Sequence, residues 1–368
     1  MSNTFGSIYK ITSFGESHGA GIGVVVDGCP AGIELDFAHI QSELDRRKPG
    51  QSRITTQRKE SDEFQVLSGL VGQTTSGAPL GFFVPNQNVR SRDYDHLEFA
   101  FRPSHADYTY HAKYGLRDHK GGGRSSARET IARVIGGAIA KQVLAQLAGV
   151  KVEAWVQQIH HIRLEEDPKE IVLETEYEQA VKCPHPEIAE QMFRHIDQIR
   201  KEGDSVGGVV KCRALGVPAG WGEPLYNKIN AQLSSAMLSI NAVKGFEIGS
   251  GFEGTLLKGS QHNDPFHTVD GQIMPKTNHA GGVLGGITTG APVVFRVAFK
   301  PTSTIMQDQQ SVNSAGEAVT VSGKGRHDPC VVPRAVPIVE AMAAMVLLDH
   351  FMLHRAKTFS AEARSSNA

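Results

Sequence analysis

Gly121-Gly122-Gly123-Arg124-Ser125-Ser126-Ala127-Arg128-Glu129-Thr130 joins flexible backbone, two arginines and a pair of hydroxyls to the start of a helix. Ser126 and Glu129 have the Ser-x-x-Glu spacing of a capping box. Apolar residues then recur at Ile131, Val134, Ile135, Ala138, Ile139 and Val143, the period of an α-helix. The spacing predicts a helix over Ala127–Leu147. Its first turn leaves backbone N–H groups unpaired at the positive end of the macrodipole, where a phosphate is stabilised, and Arg124 and Arg128 add forked donors that match phosphate or carboxylate. Taken alone, the segment reads equally as a capped structural helix. Its weight as an anion site rests on the loops that accompany it.

Outward from this helix the pattern is mixed α/β. Further helices are expected at Asp36–Arg47, Pro186–Lys201, Leu225–Leu238 and Val336–Met352, and strands at Ile8–Phe14, Ile22–Val26, Val206–Cys212 and Val293–Ala298. The helix after Pro186 has Glu187 and Glu190 early, Arg200 and Lys201 late and Gly203 just beyond, as the macrodipole and C-cap preferences require. Leu164–Ala180 is acidic and reads as peripheral. No internal repeat or long linker interrupts the chain, so one domain is expected over residues 1–355, with a disordered polar tail at 356–368.

With 368 residues and 40% hydrophobic content, the chain can bury a large core. The formal net charge of −1 implies neither nucleic-acid nor membrane attraction for the whole chain. Cys29, Cys183, Cys212 and Cys330 are far apart with no Cys-x-x-Cys, which suggests neither a disulfide framework nor a thiolate metal site, and fits a reducing cytoplasm. Met1–Tyr9 lacks the regions of a signal peptide. The apolar stretch Ala335–Leu353 is interrupted by Glu340, Asp349 and His350, and so reads as a buried terminal helix. Charge is nevertheless uneven. Between Arg46 and Arg133, 15 Lys or Arg stand against 9 Asp or Glu, a surplus of 6. Pro49 and Gly50 put the densest part, Arg46 to Lys59, in a loop, where function is commoner than packing.

Three motif matches fail on context. Gly15-Glu16-Ser17-His18-Gly19 fits the nucleophile elbow of serine hydrolases, but that motif needs a helix next and Ile22–Val26 is strand-like. Gly249-Ser250-Gly251-Phe252-Glu253-Gly254 fits a dinucleotide fingerprint, but Thr255–Leu257 reads as strand where a helix is required. Phe99–Arg124 interleaves aromatic and basic residues as RNA-binding surfaces do, without the pattern of any RNA module. What remains is a set of short polar constellations: His18 between glycines, Arg102-Pro103-Ser104-His105-Ala106-Asp107, Asn278-His279-Ala280-Gly281-Gly282, Lys300-Pro301-Thr302-Ser303-Thr304 and Gly325-Arg326-His327-Asp328-Pro329. Lys300 with its neighbouring hydroxyls makes a second anion cradle. No His-Glu-x-x-His or comparable spacing supports a metal, and none is expected. Two anion sites with candidate acids suggest an enzyme.

These segments, with Phe14–Gly19, Arg46–Arg58, Arg102–Tyr110, Ser239–Lys244, Asn278–Gly286 and Gly325–Val336, closely resemble chorismate synthases over nearly the whole chain. Ser104 departs from the pattern, since the family usually has glycine before His-Ala-Asp. The resemblance implies a β-α-β sandwich with helices between antiparallel sheets, usually a homotetramer. It implies a lyase that removes phosphate from 5-enolpyruvylshikimate 3-phosphate by 1,4-anti elimination, giving chorismate, the last step of the shikimate pathway. Reduced FMN (FMNH2) is implied as cofactor without net redox, supplied by a separate flavin reductase. Cofactor contacts carry over to Arg124, Ser125, Ser126, Asn241, Ala242, Gly285, Lys300, Pro301, Thr302, Ser303, Thr304 and Arg326. His18 would protonate or hydrogen-bond the flavin, His105 would act near the departing phosphate, and Asp328 would relay the proton off the flavin ring. Arg47 and Arg53 match positions for nicotinamide (NADP) phosphate and would equally suit a substrate anion. The alternative for Asp328 is a structural pairing with Arg326.

Overall fold

The computed structural model describes residues 3–56, 60–87, 98–119, 122–323 and 327–358. Two five-stranded sheets form its outer layers. The first contains β1 (Thr4–Phe5), β2 (Lys10–Gly15), β3 (Gly21–Asp27), β4 (Gln65–Ser68) and β5 (Leu80–Pro85), in the order β1-β2-β3-β5-β4. The second contains β6 (Lys151–Ile159), β7 (Ile162–Arg163), β8 (Gly208–Leu215), β9 (Val243–Ile248) and β10 (Val293–Phe299), in the order β9-β10-β8-β6-β7. Every pairing among these strands is antiparallel. In β10 the alternation is direct: Val293, Phe295, Val297 and Phe299 are buried while the residues between them are partly exposed.

The helices are α1 (Phe37–Arg47), α2 (Asp107–Tyr114), α3 (Thr130–Ala148), α4 (Glu176–Val181), α5 (Pro186–Lys201), α6 (Ile229–Leu238), α7 (Gly259–His262) and α8 (Val332–Lys357). α3 and α8 pack on each other in the middle layer, α3 against β2 and β3, α8 against β6 and β8. The expected β-α-β sandwich is therefore present. A helix covered on both sides has no polar face. That explains why α3 and α8 are long and apolar enough to pass for membrane spans by composition, although 89% of the most apolar window of α8 is buried within the protein. The acids in α8 are buried with partners. Glu340 meets Arg46, Lys141 and the Ala154 N–H, tying α1, α3 and β6 together. Asp349 accepts from the N–H groups of Ser7, Ile8 and Tyr9, which anchors the N-terminal segment.

Several boundaries differ from the sequence reading. The capping box before α3 forms only in half: Ser126 accepts from the Arg128 N–H, but the Glu129 carboxylate turns to Ser13 and Arg133, so Ala127–Glu129 is a 3₁₀ turn. A 3₁₀ turn at Leu225–Asn227 likewise precedes α6, where Leu225 stands at φ 62°. α8 starts four residues before Val336: Pro333 falls in the first turn, which lacks N–H partners anyway, while Pro337 lies inside the helix and leaves the Pro333 carbonyl without its intrahelical donor. It also runs to Lys357, two residues into the stretch read as tail. Thr255 and Leu256, read as strand, belong to the 3₁₀ helix Gly251–Leu256. The dinucleotide reading still fails, because β9 before it pairs antiparallel with β10. All four cysteines are buried and free.

Candidate functional site

A cleft of about 420 Å³ opens where several loops and two helix ends converge, among them the β2–β3 turn, the segment before α2, the turn before α3 and the loop after β10, with the ends of α1 and α8. Its lining includes His18, Arg47, His105, Ser125, Ser126, Asn241, Ala242, Lys300, Pro301, Thr302, Ser303, Thr304 and Asp328, which the sequence scatters over more than 300 positions. His18 is presented by a tight turn. Gly15 sits at φ 93°, and a Cβ there would fall 2.0 Å from the Gly21 carbonyl oxygen, so only glycine fits. The Asn86 amide pins the same turn, donating to the carbonyls of Glu16 at 2.9 Å and Gly19 at 2.8 Å. Ser17 is buried and followed by β3, which disposes of the hydrolase reading.

His105 is held from behind. Asp107 at the start of α2 is buried and accepts from the Arg102 backbone N–H at 3.2 Å, from Arg102 Nε at 2.8 Å and NH2 at 2.9 Å, and lies 2.9 Å from His105 Nδ1. Burial alone would raise its pKa. Hydrogen bonds and charge from His105 and Arg102 outweigh that and hold it far below the usual carboxylate range. Arg102 NH2 is also 3.1 Å from His105 Nδ1. A guanidinium only donates and a carboxylate only accepts, so Nδ1 can serve one of them, and the negative charge of Asp107 favours the Nδ1–H tautomer. Nε2 is then the atom that meets a ligand.

Cations dominate one wall. Arg47, at the end of α1, is 1% exposed and pairs with Asp62 at 2.5 Å; Asp62 also meets Arg128 at 2.9 Å. Burial lowers the Arg47 pKa, which Asp62 opposes by charge and hydrogen bond while Arg334 and Arg128 add to the depression. Arg128 is further tied to Glu60 and Asn86. Asp328 takes the Thr56 N–H at 2.9 Å and pairs with Arg334 in the first turn of α8. Among the described residues its ion-pair partner is Arg334. Arg326, also a proposed cofactor contact, lies outside the described residues. Elsewhere in the lining Lys300 Nζ donates to the Ser104 carbonyl at 2.9 Å, and burial followed by the charge of Lys244 lowers its pKa. Ser104 itself stands at φ 56°, a left-handed conformation in which glycine would be relaxed. Asn241 donates to the Ser125 carbonyl at 3.1 Å, and Ala242, at φ 68°, accepts from the Lys300 N–H at 2.9 Å, closing the cradle.

The family model described as chorismate synthase matches residues 9–352. A chorismate synthase from Cytophaga hutchinsonii is 56% identical over 97% of this chain and 99% of its own length, and one from a Synechocystis species is 53% identical over 97% and 99%. The solved structure titled "Crystal Structure of Chorismate Synthase" superposes with a TM-score of 0.74 at 32% identity, covering 95% of this chain and 93% of that one. The chain belongs to the chorismate synthase family. It is accordingly a lyase.

Within this chorismate synthase fold, three residues carried over from the resemblance stand off the cleft. The Arg124 guanidinium is turned to the first sheet, 2.8 Å from Ser13 Oγ and 3.1 Å from Asn3 Oδ1. Gly285 lies in the turn between the short strands Val283–Leu284 and Ile287–Thr288, at φ 60°. Arg53 lines an adjoining cavity that shares Thr56, Thr304, His327 and Asp328 with the cleft, and its guanidinium lies over the Phe193 ring at 4.8 Å. Arg46, counted with the basic loop, is in α1 and faces Glu43 and Glu340. Sequence reasoning passed over Arg334, Asn86, Glu60 and Asp62. Arg334 carries a legible signal, a lone cation in the first turn of an otherwise apolar helix, where the macrodipole disfavours it unless an anion is close.

Proposed function

We propose that the chain converts 5-enolpyruvylshikimate 3-phosphate to chorismate by 1,4-anti elimination, the C–O bond to phosphate and a ring C–H bond breaking, with reduced FMN in the same cleft. The observation that carries this is the convergence of cations, hydroxyls and three histidines around one cleft whose volume lies in the range of small-molecule sites. The donor set fits a flavin mononucleotide: an ammonium, several hydroxyls and exposed backbone suit a phosphate-bearing group with a polar ring edge. Ser125, Ser126, Asn241, Ala242 and Lys300–Thr304 would hold it, and Arg326 belongs to the same assignment. When bound, reduced FMN supplies electron density that helps the C–O bond break and takes up the ring proton, with no net redox.

The protein's own groups do the rest. Arg102, Lys300 and the guanidinium wall orient a substrate bearing two carboxylates and a phosphate. His105, oriented by Asp107, offers Nε2 to the leaving phosphate, where a proton or hydrogen bond neutralises developing charge. His18 protonates or hydrogen-bonds the cofactor. Asp328, fixed by Thr56 and Arg334, receives and passes on the proton. Arg53, exposed on the adjoining cavity, can meet a nicotinamide phosphate or a substrate carboxylate, whereas Arg47 contributes its field with its charge shared by Asp62. Arg124 and Gly285 belong to the cofactor assignment through the resemblance, and Arg124 also braces the β2–β3 turn through Ser13 and the Gly15 carbonyl. The assembly we assign is a cytoplasmic homotetramer fed by a separate flavin reductase. Anaerobic titration of the full chain with reduced FMN tests the cofactor placement. Ser126→Ala and Lys300→Ala should each weaken binding about tenfold or more, the worth of one charge-assisted hydrogen bond. Unchanged affinity in both variants would move the cofactor elsewhere.

A further inference from the structure

β6 and β7 are joined by a two-residue turn in which Ile159 pairs with Ile162, and both turn residues, His160 and His161, are histidines. Such turns need positive φ, and His160 supplies it at φ 50°, a conformation that histidine tolerates better than most side chains. The third member, His195 on α5, stacks on His160 with ring centroids 5.2 Å apart and planes 4° from parallel. His160 Nδ1 lies 3.0 Å from His195 Nε2 and 3.1 Å from His161 Nδ1. One ring nitrogen from each of the three lies within 4.8 Å of the others. In a tetrahedral zinc site with Zn–N bonds of about 2.0 to 2.1 Å, ligand nitrogens stand about 3.3 Å apart, so two of the three edges are nearly set.

We propose that His160, His161 and His195, none of which lines the cleft, bind one Zn²⁺ per chain as a three-imidazole site with an open fourth position. Imidazole nitrogen selects zinc and its transition-metal neighbours over magnesium or calcium, which take oxygen. Three imidazolium ions at these separations would repel, and burial together with the nearness of His161 and His160 lowers the His195 pKa, favouring the neutral form that ligates a metal. The ion would clamp α5 to the edge of the second sheet. α5 also carries Phe193, which backs Arg53, and the residue beyond its C-cap, Gly203, accepts from the Met306 N–H at 2.8 Å beside the adjoining cavity.

Calorimetric titration of tag-free, chelator-stripped protein with Zn²⁺ tests this, with Mg²⁺ as the control. One Zn²⁺ per chain should bind, and zinc should raise the unfolding temperature. His161→Ala and His195→Gln should each lower affinity at least tenfold, since even outer-shell partners are worth about 10- to 100-fold, and should abolish the thermal shift. Circular dichroism establishes that these surface variants fold. His18→Ala and His105→Ala, in the cleft, should leave the titration unchanged. Wild-type protein that takes up no zinc below about 0.1 mM, or a His161→Ala/His195→Gln double variant that binds as wild type does, would overturn the proposal.

Discussion

Asp107 orients His105, and the hydrogen bond from His105 in turn helps hold the Asp107 carboxyl ionised. His105→Ala should cut turnover about 100-fold or more at saturating reduced FMN, the scale for removing a positioned proton donor, while circular dichroism stays unchanged. A variant that kept most of its activity would make His105 structural. Asp107→Asn removes one partner of a buried charge set and should destabilise the fold by about 3 to 5 kcal/mol near pH 7. The sign follows from the depressed carboxylate. Its folded pKa lies below the unfolded value of about 3.9, so its stabilisation is complete above that value and is lost as pH falls through the folded pKa. In urea unfolding, the gap between wild type and Asp107→Asn should therefore be constant from about pH 5 to 7 and narrow below about pH 4. A gap that persisted undiminished at the lowest pH would assign the loss to packing. His18 and His105 were legible in the sequence because each sits in a short polar motif. The Asp328–Arg334 pair was not: they stand six positions apart, across the entry to a helix whose start two prolines obscured.

At the scale of elements, the middle layer is the sensitive part. A Cβ on Gly137 would fall 2.2 Å from both the Cα and Cβ of Ala341, so α3 and α8 touch backbone to backbone there. Gly137→Val should destabilise the protein by at least about 2 kcal/mol in urea unfolding, because overpacking between two buried helices has no solvent side on which to relax. Near-wild-type stability would mean that the helices can separate without loss. Amphipathic elements were the ones read correctly: α1, capped by Asp36, and α5, bounded by Pro186 and Lys201, agree with their sequence boundaries. β6 was missed because six consecutive residues, Val152–Gln157, are buried, which erases the alternation that announces a strand. The histidine cluster was invisible for another reason. His195 is 34 positions beyond His161, and only the packing of α5 against the sheet edge joins them.

For the whole molecule, local periodicity indicated helices and strands in mixture but not their layering. Which sheet covers which helix is decided by contacts between distant segments, such as Glu340 with Arg46 and Asp349 with Ile8, so the sandwich was legible only through family resemblance. The same holds for the cleft, whose basic surplus was countable while its geometry was not. Once assembled, it brings histidines, hydroxyls and cationic side chains around a single volume, as the proposed elimination requires. The direct test is turnover stoichiometry under strict anaerobiosis with pre-reduced FMN and no nicotinamide. One sample should convert many equivalents of 5-enolpyruvylshikimate 3-phosphate, releasing one phosphate per chorismate with the flavin still reduced at the end. Turnover that halted after one equivalent, with the flavin oxidised, would contradict it.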